Sequence, residues 1–353
     1  MHSRVSLRVL VLVGLELGGC GSESPVSPIL VPQVSFRRLA TLPGELAMSN
    51  KRDSWSPSGR RLAYESWNGS GYDLEVYDAQ NPNSPPLLVH SGDFSRIVSW
   101  SPDSQWLLCV MQPEADRFSG LWSLVTFPVT TGATPRVLLS RAAIDWAVWG
   151  TDGKIYYWNP TTGQRNRLDP PAGWGASNPG PFPDRPTIIY VWDPVSRTGN
   201  VEWFHVLPEE EIRFDYRNPG AEGEIRLVRD VFPDGQRFLA LLPTYCGESG
   251  IVDAHGRVIT KLWSAGCDEP PFEANAVTSD GLVVGSSERD VNDRIVSSIL
   301  YLADASAAWR VPIENAPQGW FAALSRTGHS LAFETFREDS IYVGDLEISQ
   351  HGR

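Results

Sequence analysis

The chain has 353 residues, of which 41% are hydrophobic and 20% are charged, so it can build a sizeable core and is not a disordered protein. Its 30 basic and 42 acidic residues give a net charge of −12, and because an acidic chain repels phosphate, nucleic acid is excluded as the main partner. The 31 Gly and 28 Pro indicate many turns, and the 14 Trp, 13 Phe and 10 Tyr favour strands over long helices.

The first twenty residues have the features of an export signal. Arg4 and Arg8 supply positive charge, and residues 9–15 form an apolar run that is too short to span a membrane. The run leads into Leu17-Gly18-Gly19-Cys20, which resembles the lipobox of bacterial lipoproteins. That resemblance implies cleavage after residue 19 and lipidation of Cys20, and several acyl chains on one residue anchor a protein stably. An ordinary signal peptide and a misassigned start codon are the alternatives.

Residues 20–33, the lipidated Cys and a stretch rich in Ser and Pro, follow the predicted cleavage point. This composition is typical of a tether that holds a folded domain away from the membrane. Residue 21 is Gly rather than Asp, so the inner-membrane retention signal of some bacteria is absent. The sequence therefore predicts a lipid-anchored protein of the bacterial cell envelope, on the outer membrane, facing the periplasm or the cell surface. The folded domain is predicted over residues 34–349.

A turn followed by a short apolar run recurs along that domain. The first turns read Trp-Ser-Pro-Ser-Gly and Trp-Ser-Pro-Asp-Ser, in which Pro presets φ, Asp caps the turn, and Gly supplies a positive φ. Each apolar run after a turn is predicted to be a strand that is buried on both faces. The turns end at Gly59, Ser104, Gly153, Arg185, Gly235, Gly281 and Gly328.

Each unit continues with an alternating strand, such as Tyr72–Asp78, and an outer strand, such as residues 257–263. Four strands per unit are typical of a β-propeller blade. The turn spacing predicts seven blades, including a weak fourth unit with a turn at residues 182–185 before a strand at residues 187–192. Six blades are the alternative, because the third unit is short. The last unit lacks an outer strand, so we predict that residues 34–40 supply it and close the ring.

These turns resemble the Trp-Ser-Pro-Asp-Gly repeat of TolB-like, or WD40-like, β-propellers. The hairpins that begin at Ser66 and Ser287 are similar to the Ser-x-x-Asn/Asp-Gly hairpin of that family. The likeness extends over residues 34–349 and is weak over residues 160–225. It implies an all-β propeller, without the separate α/β domain of TolB, that works through contacts with other proteins.

The cysteines are consistent with an exported chain. Cys109 lies in an apolar run and is predicted to be a buried, inert thiol. Cys246 and Cys267 fall at the same end of the predicted fifth blade, so they are candidates for one disulfide in an oxidising compartment. Two separate thiols are the alternative.

A candidate binding loop occupies residues 169–181, the longest irregular stretch, and carries Trp174 and Asn178. Long loops on rigid scaffolds often bind ligands, and Trp is enriched at interfaces. The alternative is a Trp that folds back over a short blade. In contrast, Trp55, Trp100 and Trp149 recur at one repeat position, which indicates structural packing.

Motifs of the common enzyme classes are missing from the sequence. It has no GxSxG elbow, no HExxH and no Walker loop, and its six His are scattered without metal-ligand spacing. No catalytic residue, metal site or cofactor is therefore predicted. The expected function is that of a monomeric, non-catalytic scaffold that binds an envelope protein or peptide. The alternative is an enzyme (lyase, lactonase or glycosidase type) or a glycan-binding protein with a site at the mouth of the central channel, because such sites assemble from distant blades.

Overall fold

The structure, a computed structural model, is all-β. It describes residues 33–39, 44–46, 54–92, 94–112, 119–144, 146–150, 153–162, 164–170, 187–192, 201–207, 210–215, 227–232, 237–242, 248–253, 257–262, 272–278, 281–290, 295–325, 329–335 and 340–347. Within these stretches there is no α-helix. The same stretches contain no helix with the length and apolar character needed to cross a membrane.

The described residues form 26 strands in seven antiparallel sheets, which we number in chain order. Sheet 1 contains β2 (Gly44–Leu46), β3 (Arg61–Trp67), β4 (Tyr72–Asp78) and β5 (Leu87–Ser91). Sheet 2 contains β6 (Phe94–Trp100), β7 (Trp106–Gln112), β8 (Trp122–Pro128) and β9 (Arg136–Ala142). Sheet 3 contains β10 (Trp146–Trp149), β11 (Ile155–Asn159) and β12 (Gln164–Leu168). Sheet 4 contains β13 (Thr187–Trp192), β14 (Val201–Leu207) and β15 (Glu210–Asp215).

The remaining three sheets have four strands each. Sheet 5 contains β16 (Leu227–Val231), β17 (Arg237–Leu241), β18 (Ser249–Asp253) and β19 (Val258–Lys261). Sheet 6 contains β20 (Phe272–Val277), β21 (Leu282–Asp290), β22 (Ile295–Asp304) and β23 (Arg310–Pro312). Sheet 7 contains β24 (Gly319–Leu324), β25 (Ser330–Thr335), β26 (Ile341–Glu347) and, outermost, β1 (Gln33–Arg38). The predicted four-stranded unit is thus confirmed in five sheets, and sheets 3 and 4 have three strands each within the described residues.

The repeated turn joins the first two strands of a sheet. In sheet 1 the Ser56 N–H donates to Arg61 O (2.7 Å) and the Gly59 N–H donates to Ser56 O (2.8 Å). Gly59 has a φ of +69°, the left-handed conformation that glycine adopts without steric cost, and Ser104 fills the same position in sheet 2 with a φ of +61°. The strand after the turn is buried on both faces, as the apolar runs predict: Leu107, Leu108 and Cys109 of β7 are fully buried.

The apolar cores lie between consecutive sheets. Sheets 1 and 2 bury one cluster, sheets 2 and 3 another, and sheets 5, 6 and 7 bury two more in the same order. A further cluster places Trp55 and Tyr64 of sheet 1 against Ala323 and Ile341 of sheet 7. Sheets that follow one another along the chain and pack face to face are arranged as the blades of a β-propeller.

The N-terminal strand joins the last sheet. β1 pairs antiparallel with β26 along its whole length, and Leu39 N–H donates to Ile341 O (2.8 Å) just after it. Phe36 packs edge-on against Phe333, with 5.3 Å between the ring centres. Residues 34–38 therefore occupy the outer position of sheet 7 that the sequence assigns to them.

The fourth unit differs from the prediction. The sequence places residues 187–192 after the turn, as a second strand, but β13 pairs only with β14 among the described strands and lies beside β10, the first strand of sheet 3. β13 is thus the first described strand of sheet 4, and the predicted turn at residues 182–185 lies outside the described residues.

Candidate functional site

The site residues predicted from sequence lie outside the described residues. These are Cys20, the pair Cys246 and Cys267, and the loop residues Trp174 and Asn178. The prediction for Cys109 is confirmed, because its side chain is fully buried and burial raises the pKa of its thiol.

The recurrent tryptophans are structural. Trp55 and Trp100 are buried, and each indole N–H donates to a backbone carbonyl of the preceding sheet: Trp55 to Ala323 O (3.2 Å) and Trp100 to Ser54 O (3.1 Å). The Trp149 indole donates within its own sheet, to Gly153 O (3.2 Å). This repeat position is therefore structural, and at Trp55 and Trp100 it joins neighbouring blades.

Several buried polar side chains also join sheets. Glu65 Oε1 accepts the Ile97 N–H of sheet 2 (2.6 Å), and Asp230 Oδ2 accepts the Val277 N–H of sheet 6 (2.9 Å). Ser99 Oγ accepts the Trp149 N–H of sheet 3 (3.2 Å). A buried donor needs such a partner, so these carboxylates and this hydroxyl are part of the framework.

One charged cluster lies elsewhere, at the end of the sheets where the chain turns from the second strand into the third. We call this end of the sheets the hairpin end. There Arg229 of β16 makes an ion pair with Glu273 of β20, with 3.0 Å between Nη2 and Oε2. Glu273 stands opposite Ser286 in the β20–β21 register, and Glu288 lies two residues further on the same face. Ser286 Oγ donates to Glu288 Oε1 (3.1 Å). Arg229, Glu273, Ser286 and Glu288 form the candidate site.

Two equivalent β-bulges flank the site. The register of β16 shifts at Arg229, and that of β20 shifts at Asn275. Each bulged residue stands three positions before the first residue of its turn, Phe232 or Thr278. A bulge re-aims its side chain relative to the strand, and bulges are frequent next to binding sites. Arg229 Nε and Asn275 Oδ1 are buried and have no hydrogen-bond partner among the described residues.

The two carboxyl groups have different environments. Burial raises the pKa of Glu288, and the charge of Glu273 raises it further, while the Ser286 hydroxyl and Arg229 act in the opposite direction. Glu273 is paired directly with the guanidinium. The site therefore offers a charged acceptor, a carboxyl group that binds its proton more tightly than usual, and an amide oxygen and a guanidinium N–H that still need partners.

This arrangement can bind polar or cationic groups of a partner through hydrogen bonds. Among the described residues, no group of three or more His, Cys, Asp and Glu could hold a metal ion.

Sequence reasoning missed these residues because their neighbours come from different repeats. Arg229 and Glu273 are 44 positions apart. One signal was present: three positions before the turn, other first strands carry an apolar residue, at Val98, Ala147 and Ala322, whereas Arg229 and Asn275 are polar.

No protein-family model and no curated protein sequence matches this chain. Solved structures do. An oligogalacturonate lyase from Vibrio parahaemolyticus matches with a TM-score of 0.50 and 12% sequence identity, covering 89% of this chain and 97% of the lyase. At that identity the likeness shows a similar fold and no more.

Two further structures match less closely. The β-propeller domain of Cps50 (Swd1) from Myceliophteria thermophila has a TM-score of 0.49 and 13% identity, over 88% of this chain and 99% of that domain. A protein provisionally assigned as TolB from Agrobacterium tumefaciens has a TM-score of 0.46 and 17% identity, over 91% and 99% of the two chains. Likenesses this distant do not support a conclusion about function.

Proposed function

We propose that the chain is a lipid-anchored scaffold of the bacterial cell envelope, a monomeric β-propeller of seven blades that binds a protein or peptide without catalysis. The arrangement of groups in the candidate site is the observation that best supports this function. Its buried, unpartnered Arg229 Nε and Asn275 Oδ1, together with Glu288, provide hydrogen-bonding groups that another molecule can satisfy. A buried polar atom that gains its missing partner on binding contributes to both affinity and specificity.

The arrangement of the described sheets supports a closed ring. Seven sheets are described, sheet 7 packs on sheet 1, and β1 completes sheet 7. A ring of seven blades leaves no open sheet face at the first or the last blade. In such a ring, the hairpin ends of all the blades lie around the first strands. An experimental structure that resolved six or eight blades would overturn the blade number.

A pull-down from bacterial envelope extracts tests the binding function. The bait is the lipidated chain, and the test variant carries Glu273→Gln with Glu288→Gln. Hydrogen bonds to charged groups contribute about 1.5–3 kcal/mol each, so the double variant is expected to recover at least about tenfold less partner. The control is Asp253→Asn in sheet 5, outside the candidate site. It also removes a carboxylate that is paired with an arginine, Arg257, with 2.6 Å between Oδ2 and Nη2. Failure of the wild-type chain to retain any envelope protein would contradict the proposal.

The membrane anchor is tested separately. Residues 1–19 act as the signal peptide, Cys20 as the lipidated residue, and residues 20–33 as the tether. Cys20→Ala is expected to abolish incorporation of radiolabelled palmitate and to release the protein from the membrane fraction. Retention of the label in the variant would show that Cys20 is not the modified residue.

The carboxylate pair supports a second candidate, an enzyme that acts on a glycan. Glu288 holds its proton more tightly than usual while Glu273 is ion-paired, and two carboxyl groups in contrasting environments are the usual arrangement for acid and base roles. Assays of the purified chain against a panel of neutral and charged oligosaccharides test this candidate. Activity that is lost in Glu288→Gln but kept in Asp253→Asn would favour the enzyme over the scaffold.

A further inference from the structure

Positive charge is most frequent on the outer strands of sheets 7, 2 and 3, while the outer strands of sheets 5 and 6 carry one basic residue each, Lys261 and Arg310. The outermost described strands of sheets 7, 1, 2 and 3 are β1, β5, β9 and β12, and together they hold six arginines and no acidic residue, in a chain of net charge −12. The arginines are Arg37, Arg38, Arg136, Arg141, Arg165 and Arg167. We call these four strands the basic rim. It ends at sheet 4, whose outer strand β15 begins with two glutamates.

The basic rim is a continuous surface. From β1, Arg37 reaches sheet 1 and lies 6.0 Å from the ring centre of Tyr77. β5 is joined to sheet 2, because Ala133 N–H donates to Val89 O (2.7 Å). Leu139 of β9 and Leu168 at the end of β12 pack against the same apolar cluster between sheets 2 and 3.

Apolar side chains are exposed on the same strands. Leu88 of β5 is 38% exposed, and Val137 of β9, which stands next to Arg136, is 60% exposed. Exposed apolar groups beside arginines are typical of protein surfaces that lie at the lipid–water interface, where arginine contacts phosphate and the apolar group enters the acyl boundary.

The chain itself brings this rim close to a membrane. Residues 20–32 separate the proposed lipidated Cys20 from β1. Thirteen residues reach at most about 45 Å even when fully extended, so β1 stays within that distance of the bilayer. Because the headgroup phosphates of the bilayer are anionic, the rim is attracted to them while the acidic remainder of the molecule is repelled.

We propose that the basic rim docks on the anionic phospholipid surface to which the protein is anchored, so that the propeller lies edge-on and its hairpin end stays free for a partner. The membrane location rests on the anchor in the proposed function. The rim is a separate property of the folded domain and can be tested without the anchor.

The experiment measures co-sedimentation of unlipidated protein with vesicles. The protein is residues 20–353 with Cys20→Ser, which keeps every described residue. The vesicles consist of phosphatidylcholine alone or of phosphatidylcholine mixed with phosphatidylglycerol. The wild type is expected to bind only the mixed vesicles at low salt and to dissociate at high salt, because salt screens the attraction.

The test variant is Arg136→Glu with Arg141→Glu, and the control is Arg60→Glu with Arg289→Glu. All four arginines are exposed, and the control pair lies outside the basic rim. Each arginine near an anionic surface is worth about a factor of five, so the test variant is expected to lose at least about 30-fold in partitioning while the control loses much less. Circular dichroism verifies that each variant is folded.

Three results would overturn the proposal: no binding to the mixed vesicles, equal binding to both vesicle types, or equal losses in the test and control variants. These three results would not affect the interpretation of the pull-down. If the pull-down recovers no partner, the scaffold function is contradicted, but the proposal for the basic rim is not.

Discussion

At Trp100, a single indole N–H joins two blades. The ring is buried and the N–H donates to Ser54 O of sheet 1 (3.1 Å). Trp100→Phe keeps most of the ring but leaves that carbonyl buried without its donor, so we expect the free energy of unfolding to fall by about 1–3 kcal/mol. Urea denaturation measures this loss. Trp67→Phe, at a half-buried ring in β3, is the control and is expected to change stability by less than about 0.5 kcal/mol. Equal losses would show that ring size, and not the hydrogen bond, is responsible.

Glu288 is expected to make the stability of the folded protein depend on pH. Its pKa in the folded protein is raised above the ordinary value of 4.5. The stability it contributes is therefore complete below that ordinary value and is lost as the pH rises through the raised one. Glu288→Gln cannot ionise, so we expect the variant to gain stability relative to the wild type as the pH rises from 4.5 to 7.

Thermal unfolding across this pH range measures the difference between the two proteins. Asp169→Asn is the control, for which we expect the opposite dependence on pH. The Lys154 ammonium lowers the pKa of Asp169, so the wild type loses the stabilisation from this pair as the pH falls. A difference for Glu288→Gln that does not vary with pH would contradict the raised pKa.

At the scale of the element, β1 depends on a glycine in its partner strand. A Cβ on Gly344 would lie 2.7 Å from both Phe36 Cδ1 and Val34 Cγ1, which is closer than real Cβ atoms approach. Gly344→Ala is expected to push β1 away from β26 and to lower the free energy of unfolding by about 1–3 kcal/mol. Hydrogen exchange is expected to rise mainly in β1. Ser35→Ala, an exposed substitution on the same strand, is the control, and unchanged exchange in Gly344→Ala would contradict this packing.

At the scale of the whole molecule, the apolar clusters of the described residues are shared between blades. Each described apolar cluster lies between two sheets, so one sheet cannot keep its buried surface when its neighbour unfolds. We therefore expect one cooperative transition, with coincident curves from far-UV circular dichroism and tryptophan fluorescence. Two separated transitions would show that the sheets form independent halves.

The elements were predictable where the signals are local. The predicted strand Tyr72–Asp78 is β4, and the turn chemistry at Gly59 and Ser104 has the expected positive φ. The place of the fourth unit was not predictable in the same way, because the apolar run at residues 187–192 is compatible with either a first or a second strand of a blade. Composition identifies a turn, but its place in a blade depends on which strands pair.

The candidate site was not predictable because its members are distant along the chain. Glu65, Asp230, Glu273 and Glu288 are all acidic residues near a predicted turn or hairpin, and nothing local separates them. The structure shows that Glu65 and Asp230 accept backbone N–H groups of neighbouring sheets, whereas Glu273 meets Arg229 across two blades.

The sequence by itself therefore determined the repeat, its turns and strands, and the all-β class, since these follow from side-chain alternation and turn chemistry within a few residues. Only the tertiary structure decided which sheets share a core and which charged groups meet. The physical reason is that these contacts join residues from different blades, and their free energy depends on burial and on pairing across the fold, which no local pattern records.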